Sequence, residues 1–134
     1  MDKLYIGIDP GTNTGLAYHL QGKLTVKTST FWEVYHELLT LDPKKVKVFI
    51  EIPPSKFNWH SKGMIASANV GIIYQESRLL AKGLKLAGFN VTECRPAGKL
   101  TAAKFKALTG FSNRTNSHTR DAAMLAIKGK KNEI

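Results

Sequence analysis

Cysteine is nearly absent. The one thiol, Cys94, excludes an intramolecular disulfide, so packing rather than covalent stapling must hold the chain together. Its setting in FNVTECRP predicts a buried core thiol and a reducing compartment. Long apolar runs are missing too: nothing approaches the ~18 residues of a membrane span, and the opening MDKLYIGID lacks the basic-then-apolar order of a secretory leader. The expectation is a soluble, cytoplasmic protein with no membrane partner. Acids are scarce, with ten Asp and Glu against twenty Lys and Arg, a net charge of +10. From Arg95 to Lys131 nine basic residues accompany a single acid, Asp121. Such an excess points to a polyanion partner, because cations that neutralise phosphates release condensed counterions. Solubility alone is the competing explanation for a basic surface.

What is present is enough for one core: 134 residues, 43% of them apolar. The pattern predicts one domain over residues 1–128 and a basic, flexible tail over 129–134. KLYIGID alternates as a strand, Gly11 to Gly15 supplies a turn, and GLAYHL returns. Gln21 and Gly22 turn again into KLTVKTST, so three antiparallel strands open the chain. Ser29 or Thr30 caps a short helix with Phe31, Val34, Tyr35 and Leu38 on one face, ended by Asp42 and Pro43. VKVFIE reads as a central strand buried on both faces and stops at Pro53 and Pro54. After the loop IPPSKFNWHSKG a helix runs from Met64 to Ala87, with Val70, Ile73, Ser77, Leu80, Leu84 and Ala87 in a stripe. Gly88 closes it, FNVTEC forms the last strand, and two helices follow, one opened by Thr101 and one beginning near Thr115 or Asn116 and ending at Ile127. The order predicts an α/β fold, a five-stranded mixed sheet flanked by helices.

Asp9 and Glu51 each end an apolar strand. If those strands are neighbours, both carboxylates emerge at one edge of the sheet. His118 and Asp121 lie three apart on the last helix, on a face shared with Ala122 and Leu125, so packing that face onto the sheet aims both polar groups at the strand ends. Hard divalent cations prefer such oxygens. Two ions about 3.5–4 Å apart would activate a water and stabilise the departing oxygen of a phosphodiester. Each residue has a plainer explanation: Asp9 as a turn starter, Glu51 as a solvated strand end, Asp121 paired with Arg120 or Lys128, His118 as a cap. Their joint placement argues against four coincidences.

On these residues the chain resembles the RuvC family of Holliday junction resolvases, in the compact versions carried by phages. IGIDPGTNTGLA is similar to that family's first strand with its catalytic Asp, FIEIPP to the strand with its Glu, NVGIIYQESRLL to the helix that follows, and HTRDAAMLA to the closing motif. The resemblance implies an RNase H-like fold and a homodimer that nicks four-way DNA junctions symmetrically, with Asp9, Glu51, His118 and Asp121 as catalytic, metal-binding residues and two Mg2+ or Mn2+ ions per site. It further implies a bacterial or phage-infected host cell. RPAGK is similar to the family's basic segment, making Lys99 a candidate phosphate contact, with Lys104, Lys106, Arg114 and Arg120 as further DNA-binding candidates. Phe57 and Trp59 between Lys56 and Lys62 suit stacking on unpaired bases while gripping phosphates. The family's wedge aromatic lies closer to its Glu, so this loop departs from the pattern.

Three other readings stay open: a broader nuclease for branched DNA or RNA:DNA hybrids, a catalytically silent junction-binding module, and a sugar-kinase or actin-like phosphate loop in IGIDPGTNTG, for which the chain is too short to supply two lobes. Whether His118 binds metal or acts as the general base is also open, as are any branch-migration or DNA-packaging partners.

Overall fold

The structure, a computed structural model, describes residues 3–53, 64–96 and 98–132. Strand β1 spans Leu4–Asp9, β2 Thr14–Leu20 and β3 Lys23–Ser29, with β1–β2 and β2–β3 antiparallel. The β2–β3 hairpin closes through Gln21 and Gly22, both at positive φ, the geometry that matches strand twist in a two-residue turn. Thr30 caps helix α1, Phe31–Leu39, in a capping box with Glu33. A short 3-10 turn, Pro43–Lys45, capped by Asp42, feeds β4, Val46–Glu51. Helix α2 spans Met64–Leu86, β5 Asn90–Cys94, α3 Ala102–Thr109 and α4 Ser117–Lys131.

The sheet order is β3-β2-β1-β4-β5, with β1, β4 and β5 parallel, which makes β1 the central strand. Side chains alternate across it. Ile6, Ile8, Leu16, Val48 and Ile50 point to one face and bury against Val34 and Leu38 of α1 and Leu80 and Leu84 of α2. Each such side chain contributes about 1.5–3 kcal/mol of burial, so this layer carries most of the fold's stability. The opposite face takes α4. Ala17 meets Ala122, Ala123 and Phe105 there in a smaller core.

That second face is built for close approach. A Cβ on Gly7 of β1 would stand 1.8 Å from the carbonyl oxygen of Ala122, and one on Gly15 of β2 2.2 Å from that of His118. Neither could be accommodated without moving backbone. Helix α4 therefore rests directly on the paired strands, and the hydrogen bond from Asn116 Nδ2 to Thr28 Oγ1 at 3.1 Å ties its start to β3.

Three expectations need correcting. β4 is fully buried only towards α1 and α2; Lys47, Phe49 and Glu51 on its other face are partly exposed, because α4 lies chiefly over β1 and β2. The last helix continues past Ile127 to Lys131, and Gly129, placed in a flexible tail by composition, is buried against the Phe49 ring. Cys94 is half-buried near the sheet edge and not a core thiol.

Candidate functional site

Parallel pairing of β1 with β4 brings Ile8 opposite Ile50, so the next residues of each strand, Asp9 and Glu51, emerge side by side. Both are in phase with Gly7 and Phe49 and so face α4. The second turn of that helix adds Asp121. Among the described residues, a ligand oxygen from each of Asp9, Glu51 and Asp121 lies within 4.8 Å of the others. Asp9 is only 4% exposed, too buried for a mere turn starter, and Thr14 Oγ1 holds the following turn by donating to the Gly11 carbonyl at 3.3 Å. Asp121 pairs with neither Arg120 nor Lys128: the cation beside it is Lys99, whose Nζ is 3.6 Å from Oδ2.

Three carboxylates this close repel one another in a partly desolvated site. Burial, then the hydrogen bond and charge of Asp9, push the Glu51 carboxyl up to about 8, with Asp121 adding to the effect and Lys99 opposing it. Burial likewise raises Asp9, although its hydrogen bond to Glu51 works the other way. A divalent cation would relieve this repulsion with an all-oxygen donor set, so the residues fit such an ion.

The shift has a measurable consequence. Glu51 holds its proton in the folded state up to about 8 and releases it near 4.5 when unfolded, so between those values the native state binds more protons. Stability of the protein in EDTA should therefore fall as pH rises through that window. His19, lowered by burial and by Lys130, acts in the opposite sense near 6.5, which makes Glu51→Gln the proper reference. Thermal melts across the window should show a steeper decline in the parent than in Glu51→Gln, which retains only the raised Asp9, and saturating Mg2+ should cancel the excess; a flat difference between the two proteins would contradict the arrangement.

His118 joins from the side. Its Nδ1 lies 3.0 Å from Asp9 Oδ2, and its side chain is 40% exposed, so it touches the cluster through Asp9 while keeping a face to solvent. Arg120, expected at DNA, is half-buried and turned inward: Nε donates to the Leu100 carbonyl at 3.0 Å and Nη1 to Thr115 Oγ1 at 3.1 Å. It pins the segments on either side of α3 to α4, which also fixes the approach of Lys99. Lys104, Lys106 and Arg114 are exposed on α3 and the loop after it. Lys56, Phe57, Trp59 and Lys62 lie outside the described residues.

Sequence reasoning passed over the surroundings. A cleft of about 180 Å3 opens beside Glu51 and Asp121, walled by Leu100, Leu108, Met124 and Leu125 with Lys128 at its margin. It also passed over Gly7 and Gly15, which set the height of α4 above the strands; glycine inside a strand pattern was the available signal. Cys94, paired in register with Glu51, has its thiol pushed up by burial and by that carboxylate, and so lacks thiolate character.

No family model and no curated protein sequence matches the chain. Solved structures do: the chain is similar to the structure of Thermus thermophilus RuvC, with a TM-score of 0.51 at 16% identity over 92% of this chain and 91% of that one. The five-stranded mixed sheet with flanking helices is thus an RNase H-like fold.

Proposed function

We propose that the chain is a divalent-metal-dependent, structure-selective DNA endonuclease, a Holliday junction resolvase of the compact phage type that works in the cytoplasm as a single nuclease domain. The observation that carries this reading is the convergence of Asp9, Glu51 and Asp121 from β1, β4 and α4 within 4.8 Å, in a chain of net charge +10. The RNase H-like fold and the motif resemblance support it.

Asp9, Glu51 and Asp121 would hold Mg2+ or Mn2+, two ions per site. When bound, such ions lower the pKa of an attacking water and neutralise charge on the departing oxygen. His118 fixes the Asp9 carboxylate through its 3.0 Å contact and, with a solvent-facing side, serves as the group that orients or deprotonates the water. Lys99, largely exposed beside Asp121, meets the scissile phosphate, and Lys104, Lys106 and Arg114 extend the phosphate-binding surface. A four-way junction has two equivalent strands to cut, which calls for a homodimer. Helix α2 carries an exposed apolar row, Ile72, Leu79 and Leu86, spaced every seven residues as a helix-pairing seam would be.

Cleavage of a four-way junction and of linear duplex of the same sequence, in Mg2+, Mn2+ or EDTA, tests the reading. Paired symmetric nicks confined to the junction and dependent on metal are expected. Metal-dependent cutting of both substrates would move the substrate to branched or hybrid nucleic acid in general, and tight binding without cutting would leave a junction-binding module.

A further inference from the structure

We infer that the unpaired strand flanking the reacting phosphate is held in a second recess, between the β4–β5 edge of the sheet and helix α4. The recess has a volume of about 510 Å3 and is lined by Phe49 of β4, Asn90 and Thr92 of β5, Arg95 just beyond it, and Leu125 and Lys128 of α4. Leu125 and Lys128 also line the cleft beside Glu51 and Asp121, so the recess adjoins that cleft and extends the groove away from the carboxylates. It exists because α4 sits over β1 and β2 and leaves this face of β5 largely uncovered.

Charge selects the occupant. No described residue lining the recess is acidic, while Arg95 and Lys128, both exposed, supply cations. The one acid of β5, Glu93, alternates to the opposite face, where Arg78 and Lys85 each hold it at 2.8 Å. An anionic chain entering the groove therefore meets cations and neutral polar groups without a repelling carboxylate. Size selects its form. The volume falls in the ~300–1,000 Å3 range of sites for small ligands, room for individual nucleotides to enter. Phe49, half-buried on the floor with its ring packed against Tyr5 and Gly129, leaves only part of an aromatic surface to the recess, and Asn90 and Thr92 offer hydrogen bonds; phosphate-gripping cations beside an aromatic edge suit a sequence-tolerant single-strand site. The inference rests on the nuclease reading only for the identity of the phosphate at the groove's end.

Binding rather than cutting tests it. Labelled single-stranded oligothymidylate and labelled duplex of equal length are titrated in EDTA over a range of salt with the parent, with Arg95→Gln/Lys128→Gln, and with Lys44→Gln/Lys82→Gln, which removes the same charge from exposed positions that do not line the recess. For the groove variant, the slope of log affinity against log salt for single strands should fall by about 0.7 for each phosphate no longer neutralised, with affinity roughly tenfold weaker at low salt and duplex binding changed no more than in the control. A slope equal to the control's, or equal losses for single strand and duplex, would overturn the inference. A protein that never cuts yet shows the selective slope change would refute the nuclease and leave the groove standing; one that cuts junctions with an unchanged slope would do the reverse.

Discussion

Asp9→Asn should lower junction cleavage by roughly a thousandfold or more, about 4 kcal/mol of transition-state stabilisation, while folding and junction binding persist. Asp9 is the residue to change because it is the innermost of the cluster, 4% exposed, bonded both to Glu51 and to His118. Asparagine keeps the shape and can still meet the imidazole, but it carries no charge, so two carboxylates remain where three faced the cation. The same change removes the nearest negative charge from Glu51, whose carboxyl should come down from about 8 towards its ordinary range. The variant in EDTA should therefore be at least as stable as the parent at alkaline pH, and the stabilisation that Mg2+ gives the parent should shrink. Melting with and without Mg2+ separates loss of metal from loss of fold. A variant that folds, melts like the parent and still nicks junctions would remove Asp9 from the site.

The carboxylates were legible in the sequence for a local reason: an apolar strand that ends in Asp or Glu delivers its charge to the sheet edge whatever the rest of the chain does, and a helix fixes His118 and Asp121 on one face by its period alone. Other features depended on partners distant along the chain. Arg120 reads as one more surface cation until the segment ending at Leu100 folds back and presents a carbonyl to it. Gly129 reads as the start of a flexible tail, yet it is the small residue that lets the Phe49 ring pack against α4. VKVFIE reads as buried on both faces because its composition says nothing of which strands α4 covers. The placement of α4 over β1 and β2 is what leaves Glu51 accessible and the recess beside it open.

Gly15→Ala should cost about 3 kcal/mol or more, close to 10 °C in Tm for a domain of this size, and should impair cleavage beyond what the lost stability explains. The added methyl would lie 2.2 Å from the His118 carbonyl oxygen and 2.4 Å from its carbon, both backbone atoms of a helix that is capped and tied to β3. Relief requires lifting the first turns of α4, and those turns carry His118 and Asp121. Asp9 is paired in register with Gly15, so the displacement occurs directly across from the carboxylate that His118 contacts. Gly71→Ala is the contrasting change. Among the described residues nothing outside the helix's own backbone lies within 4 Å of its would-be Cβ on α2, and alanine in a helix is favoured over glycine by about 0.5–1 kcal/mol, so that variant should be slightly more stable and fully active. Denaturant titrations of both variants, read beside their cleavage rates under conditions where each is folded, distinguish a general sensitivity to added volume from a helix that must sit at one height. Should Gly15→Ala keep parental stability and rate, α4 is free to ride higher on the sheet, and the geometry that joins His118 and Asp121 to the strand-end carboxylates would not be what positions the site.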